Sequence, residues 1–156
     1  MAARGTSGVL PHTPWTRVRT VVNWVNLSTP LGLLLAHAGG ARIRRRGRGT
    51  WIAGGYRWDF PRAGAFTMGS VVLSTRDLDD LASRTTLLRH EDRHCTQYAW
   101  CLGPFLLLPY VAAAGLSWAV AGEPGSYNPF ERLAGLPDGG YPPPRTRRSR
   151  RRERRA

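Results

Sequence analysis

The sequence has no lysine: all 23 of its basic residues are arginine, set against ten acidic ones. Arginine-only usage fits a G+C-rich coding sequence and carries no mechanism by itself. Cysteine is scarce too. Cys95 and Cys101 are too few for a disulfide-built scaffold. On one helix they would lie about 9 Å apart along the axis, beyond the reach of a bond, so both are expected as reduced thiols. Residues 1–18 hold no apolar run of the kind a secretory signal needs, and the expected location is cytoplasmic. Neither an internal repeat, a zinc-finger spacing nor a recognition helix is present. With 42% hydrophobic residues over 156 positions, the chain can bury a modest core. That excludes global disorder, a collagen-like chain and a coiled coil.

What is present is unevenly placed. Residues 145–156, from Arg145 through Arg155 to the end, hold eight arginines and one glutamate, +7 of the net +13. Like charges repel there and nothing apolar is available to bury, so a disordered tail is expected. It could engage nucleic acid or an anionic membrane surface through counterion release; a solvated tail is the plainer reading. The arginines of 42–48 could do the same from a hairpin. The expected organisation is a flexible leader (1–14), a single domain (15–144) and the tail.

Apolar periodicity places the elements. Trp15, Val18, Val22 and Val25 suggest an amphipathic helix over 15–27. Ser28-Thr29-Pro30 reads as the capped start of a short helix over 31–38, closed by Gly39-Gly40. Short strands are expected within 41–53, and another over 65–75, where Val71-Val72-Leu73 supplies β-branched weight. One or two helical turns follow at 77–82. A longer helix, capped by Thr85 or Thr86, runs to about Cys101. Gly103-Pro104 breaks it, a second helix spans 105–120, and Asn128-Pro129-Phe130-Glu131 opens a last one. The order predicts an α+β fold, with a small antiparallel sheet of about three strands packed on helices.

The chemistry is concentrated in His90-Glu91-Asp92-Arg93-His94. Histidines four apart on a helix differ by about 40° in direction and about 6 Å in height, so both imidazoles can reach one ion. Zinc takes imidazole nitrogen at about 2.0–2.1 Å, needs a third protein ligand and keeps one position for water. Zinc-bound water is acidic enough for Glu91 to act as general base. The plain alternative is a solvated helix face. Downstream candidates for a third ligand are Glu123, Glu131 and Asp138. Glu123 sits in a Gly-Pro-Gly turn, a poor platform, whereas a helix can hold Glu131. Asn128 with Glu131 also resembles a capping box, which is compatible with ligation.

The segments Leu87-Leu88-Arg89-His90-Glu91-Asp92-Arg93-His94, Gln97-Tyr98 and Asn128-Pro129-Phe130-Glu131-Arg132-Leu133-Ala134 together resemble a family of small bacterial zincin-like proteins, minimal gluzincins. In that family H-E-x-x-H-x-x-Q precedes an apolar helix and an N-x-F-E-x-x-A segment. Ala65-Phe66-Thr67-Met68-Gly69-Ser70-Val71-Val72-Leu73 is similar to its edge strand. The likeness covers 60–141, roughly half the chain. It implies a zincin-like fold with His90, His94 and Glu131 on Zn2+, Glu91 as general base, and hydrolysis of a peptide or protein substrate. Gln97, Tyr98 and Tyr141 are candidates for supporting the ligands or the transition state. Tyr98, Tyr127 and Tyr141 are the phenols considered for stabilising the oxyanion.

One feature competes with that reading. Residues 95–122 carry no charge over 28 positions, more than the roughly twenty needed to cross a bilayer. A straight span would put His94 and Glu131 about 30 Å apart, on opposite faces. Only a chain that doubles back, at Gly103-Pro104, reunites them. The polar residues Asn23, Asn26, Ser28, Thr29 and Pro30 argue against a span over 15–38. The alternative function is a non-enzymatic protein of the same fold that associates with a membrane or partner through its apolar helices and basic tail.

Overall fold

The computed structural model describes residues 13–47, 49–58 and 64–146. Most of the leader, Arg48 and the arginine tail beyond Thr146 lie outside the described residues. The fold is α+β. Helices α1 (Pro14–Val25) and α2 (Ser28–Ala38) precede strands β1 (Arg42–Arg46), β2 (Thr50–Gly54), β3 (Phe66–Met68) and β4 (Val71–Ser74). Helices α3 (Leu78–Ser83) and α4 (Thr85–Trp100) follow. A 3-10 turn (Gly103–Leu106) then leads into α5 (Leu107–Ala121) and α6 (Pro129–Ala134).

The sheet corrects the expectation. It has four strands in the order β1-β2-β4-β3, and it is mixed: β1 with β2 and β3 with β4 are antiparallel, but β2 and β4 are parallel. The cause is Gly69. The single strand expected over 65–75 folds in two there, with Met68 paired to Val71 across the turn. Gly69 has a φ of +64°, and a Cβ on it would stand 2.4 Å from the backbone of Ser28 and Thr29. Only glycine satisfies both constraints. The hairpin inserts β4 beside β2 and leaves β3, not Val71-Val72-Leu73, as the edge strand.

Alternation along β2 and β4 divides the core. Ala53, Val71 and Leu73 face a cluster with Ala36, Tyr98 and Leu106. Ile52 and Val72 pack with Leu78, Leu81 and Leu88. Tyr98 therefore belongs to the core.

Two expected caps are corrected. Ser28 and Thr29 lie inside α2, which starts after Leu27 in the left-handed region. The Ser28 hydroxyl donates to the Asn23 carbonyl or Asn26 Oδ1, and Thr29 Oγ1 accepts from the Ser70 amide, so both hydroxyls hold neighbouring elements. Thr85 and Thr86 also stand within α4; Arg84 occupies its cap position without a side-chain bond. Asn128 does cap α6, accepting from the Phe130 amide at 3.0 Å.

Helix α1 is fixed to α4 by polar groups. Arg19 makes a two-point pair with Asp92 at 2.7 and 2.8 Å and also donates to Thr96. Asn23 donates to Ser70 and to the Cys95 carbonyl. Both cysteines are free, Cys95 buried and Cys101 half-buried. After α4 the chain turns through Leu102 and Gly103, both at positive φ, and doubles back. Glu131 thereby comes within 3.5 Å of His94.

Candidate metal centre

Helix α4 is built so that one stripe is buried and charged. His90, Glu91 and His94 are each under a tenth exposed, which no solvated helix face would be. The ring planes of the two histidines stand at 83° and their centroids 4.8 Å apart.

The proton on each imidazole is fixed by its other neighbours. His90 Nδ1 lies 3.1 Å from both the Ala134 and Gly135 carbonyls, which can only accept, so Nδ1 donates. His94 Nδ1 is 2.8 Å from Gln97 Oε1. Gln97 is oriented in turn by its Nε2, which donates to the Phe130 carbonyl at 2.8 Å. In the neutral rings each Nε2 then presents a lone pair, and the two nitrogens are 3.1 Å apart.

Glu131 completes the group. Its Oε2 is 3.1 Å from His90 Nε2 and its Oε1 3.5 Å from His94 Nε2. Oε2 is buried and accepts no hydrogen bond. One ligand atom from each of His90, His94 and Glu131 lies within 4.8 Å of the others. Three lone-pair donors pointing at one another can hold a cation by the chemistry of their atoms. The electrostatics agree. Burial alone would raise the Glu131 carboxyl, yet the two imidazoles when protonated, together with Tyr110, hold it well below the usual range. Burial lowers His94, but Glu131 and Glu91 raise it on balance: the pocket favours positive charge.

The other two candidates for a third ligand are occupied elsewhere. Glu123 accepts from the Gly125 and Ser126 amides at 2.8 and 2.7 Å and so fixes the turn after α5. Asp138 pairs with Arg93 at 2.8 Å and with Arg89 at 3.4 Å, tying α4 to the segment after α6. Arg93 also donates to the Ala134 carbonyl, which fixes the backbone that orients His90.

Glu91 lies on the same buried stripe without joining the three. Its Oε2 accepts from Thr67 Oγ1 on edge strand β3 at 2.8 Å. Burial pushes its carboxyl up, against the lowering effect of His94 and of the Thr67 bond.

The tyrosines separate. Tyr98 is in the core, away from the ligand atoms' immediate partners. The Tyr141 ring centroid is 6.4 Å from that of His90, and burial raises its phenol. Tyr127 enters the local structure through its backbone amide, which donates to Ser117. Tyr110 is the site residue that sequence reasoning missed. Its hydroxyl donates to Glu131 Oε1, and its ring lies edge-on to His94 with centroids 6.1 Å apart. A signal was present: Tyr110 and Ser117 are the polar side chains of α5, and both turn inward. Gly139 was missed as well. A Cβ there would meet the His90 ring at 2.5 Å, so the chain closes over the imidazole with no room to spare.

Comparison with protein-family models, with curated proteins and with solved structures gives no match.

Proposed function

We propose that this chain is a zinc-dependent metallopeptidase of the minimal gluzincin type, with a zincin-like fold. The observation that carries the reading is the convergence of His90 Nε2, His94 Nε2 and Glu131 on one point, beside a glutamate outside the ligand set. A two-histidine, one-carboxylate set with a neighbouring general base suits catalytic zinc. A merely structural site would have no use for a separate buried Glu91.

Bound zinc would supply a Lewis acid and lower the pKa of a coordinated water to about 7. The chain's own residues would do the rest. Glu91, steered by Thr67, accepts the proton of the attacking water and passes it to the leaving amine. Gln97 and the Ala134 and Gly135 carbonyls hold the two imidazoles with their Nε2 atoms inward. We assign the developing oxyanion to the Tyr141 phenol, whose ring centroid lies 6.4 Å from that of His90, since the Tyr110 hydroxyl is committed to Glu131. Strand β3 ends the sheet beside the helix that carries Glu91. An extended peptide adding to such an edge would run past the base.

The test couples metal content to cleavage of a mixed peptide library. Wild type is expected to hold about one zinc per chain. Glu91→Gln is expected to keep the metal and lose hydrolysis. Cleavage that survives Glu91→Gln in purified protein would overturn the mechanism. A metal-bound wild type that cleaves nothing would favour the non-enzymatic alternative.

A further inference from the structure

Two of the helices, α1 and α5, are inside out, and α2 leaves part of its apolar surface uncovered. The fully buried residues of α1 are Arg19 and Asn23, whereas Trp15, Val18, Val21, Trp24 and Val25 are exposed. Helix α2 packs Ala36 on the core with Leu33 and Leu35 half-buried beside it, and exposes Leu31 and Leu34. Helix α5 turns Tyr110, Ser117 and Ala121 inward and leaves Leu107, Leu108, Val111, Leu116 and Trp118 outside. A surface helix in water does the opposite.

Contacts bring the exposed residues of α1 to the corner that precedes α5. Trp15 packs on Trp100 with ring centroids 5.5 Å apart, which brings the start of α1 to the end of α4. Asn26, just past α1, donates to the Tyr98 carbonyl and lies against Gly103. The neighbours of that contact are Leu27 and Leu102, both in left-handed backbone, 61% and 73% exposed. Gly or Asn would suit such positions better, yet here they present leucine outward. Phe105, 68% exposed, continues the surface into α5.

We propose that the outward faces of α1, α2 and α5, with the corner between them, form a single lipid-contacting surface that seats the protein in one leaflet of an anionic bilayer. The width of the apolar face selects lipid over a second copy. At 3.6 residues per turn, the outward residues of α5 cover roughly 220° of its circumference, and none is polar. A second copy docked on the helix would cover a narrower arc, whereas acyl chains close around all of it. The helix is also pinned along its length. Tyr110 is bonded to Glu131, and Ser117 to the Glu123 carbonyl and the Tyr127 amide, so α5 lies along the domain rather than leaving it to span.

Charge selects the headgroup. Helices α1, α2 and α5 and the 3-10 turn contain no acidic residue. Arg17 and the β1 arginines Arg42 and Arg45 are exposed, Arg44 beside them is paired with Asp79, and Gly49 in the turn after β1 abuts Thr20 of α1. A basic hairpin beside an apolar face is the arrangement that acidic lipid attracts. The exposed Trp15, Trp24, Trp100 and Trp118 suit the headgroup boundary.

The full chain, purified in mild detergent, is mixed with phosphatidylcholine vesicles with or without phosphatidylglycerol. Detergent is then removed and the vesicles are floated on a density gradient. Flotation is expected, enriched by the anionic lipid, with tryptophan emission quenched by brominated acyl chains. Protein left at the bottom beside anionic vesicles would overturn the proposal. So would a discrete dimer whose tryptophans brominated lipid fails to quench; that result would assign the surface to a second copy. The pair Phe105→Asp and Leu108→Asp alters only outward positions. It is expected to reduce flotation at least tenfold, with circular dichroism unchanged. Undiminished flotation of a folded double variant would refute the assignment of the face. Flotation and zinc content are independent readings, so this proposal and the metallopeptidase reading fail separately.

Discussion

Helices α4 and α5 both break the rule that polar residues face water, and they break it in opposite ways. Helix α4 buries His90, Glu91 and His94, and gives every one a specific partner from β3, α6 or its own next turn. Helix α5 leaves leucine, valine and tryptophan outside. Burying charge costs several kcal/mol per group unless it is compensated, so the α4 stripe persists only where a cation or proton network stabilises it. Exposed apolar surface costs nothing of the kind against acyl chains. On the metal proposal the polarity of one helix is set by what binds inside it, and on the lipid proposal that of the other by what it lies against. Tyr110 touches both: it sits on α5 and bonds Glu131.

The comparison breaks most sharply at the ligands. His90→Ala, His94→Ala and Glu131→Ala are each expected to abolish stoichiometric metal, read by mass spectrometry of the purified protein. Substitutions on the outward face of α5 are expected to leave metal content untouched.

Next in size is the other side of α4. Arg19 and Asp92 are 4% and 13% exposed and paired at 2.7 Å. Arg19→Met leaves a buried carboxylate without its partner. It is expected to destabilise the fold by about 3–5 kcal/mol in urea titration. Double substitution with Asp92→Leu is expected to recover much of that loss, because an apolar pair in the same space has no charge to desolvate. Failure of the double variant to recover would mean that Thr50 and Thr96, the other partners of this pair, carry the stability instead.

Smaller again are the supports of the metal site. Gln97→Leu removes the acceptor that fixes the His94 ring, and Tyr110→Phe removes the donor to Glu131. Each is expected to weaken metal affinity about 10–100-fold by competition with a chelator, without loss of fold. If Tyr110→Phe had no effect, α5 would lie beside the site without supporting it.

The shared burial of His90, Glu91 and His94 was legible because a helix repeats every 3.6 residues, so four positions along it give one face. Glu131 was legible as one candidate of three; what excludes Glu123 and Asp138 is their commitment to backbone amides and to Arg89 and Arg93, which no spacing discloses. The hairpin at Gly69 was not legible, since its cause is the close approach of a distant backbone at Ser28 and Thr29. Tyr98 was misplaced for a similar reason: it is on the motif helix, but on the stripe that meets Ala36 and Leu73. The polar residues of 15–38 argued against a span, and the segment forms two separate helices. Their direction was the missing fact: Asn23, Ser28 and Thr29 point inward, so the face they leave outside is apolar.

The smallest effect tests the inversion of α5 within one helix. Ser117 is fully buried; its Oγ donates to the Glu123 carbonyl and accepts from the Tyr127 amide, each at 2.9 Å. Ser117→Ala takes the side-chain partner from two part-buried backbone groups. The expected cost is about 1–3 kcal/mol by urea titration. Leu116→Ala, one position earlier and 66% exposed, removes more apolar surface, yet its expected cost in detergent-free buffer is within about 0.5 kcal/mol. In an ordinary amphipathic helix the order would be reversed, with the leucine costly and the serine silent. A costly Leu116→Ala in dilute, vesicle-free protein would mean that a second protein surface already covers that face. The small polar residue outweighing the large apolar one would mean that α5 holds to the domain by hydrogen bonds and leaves its hydrophobic face free for lipid.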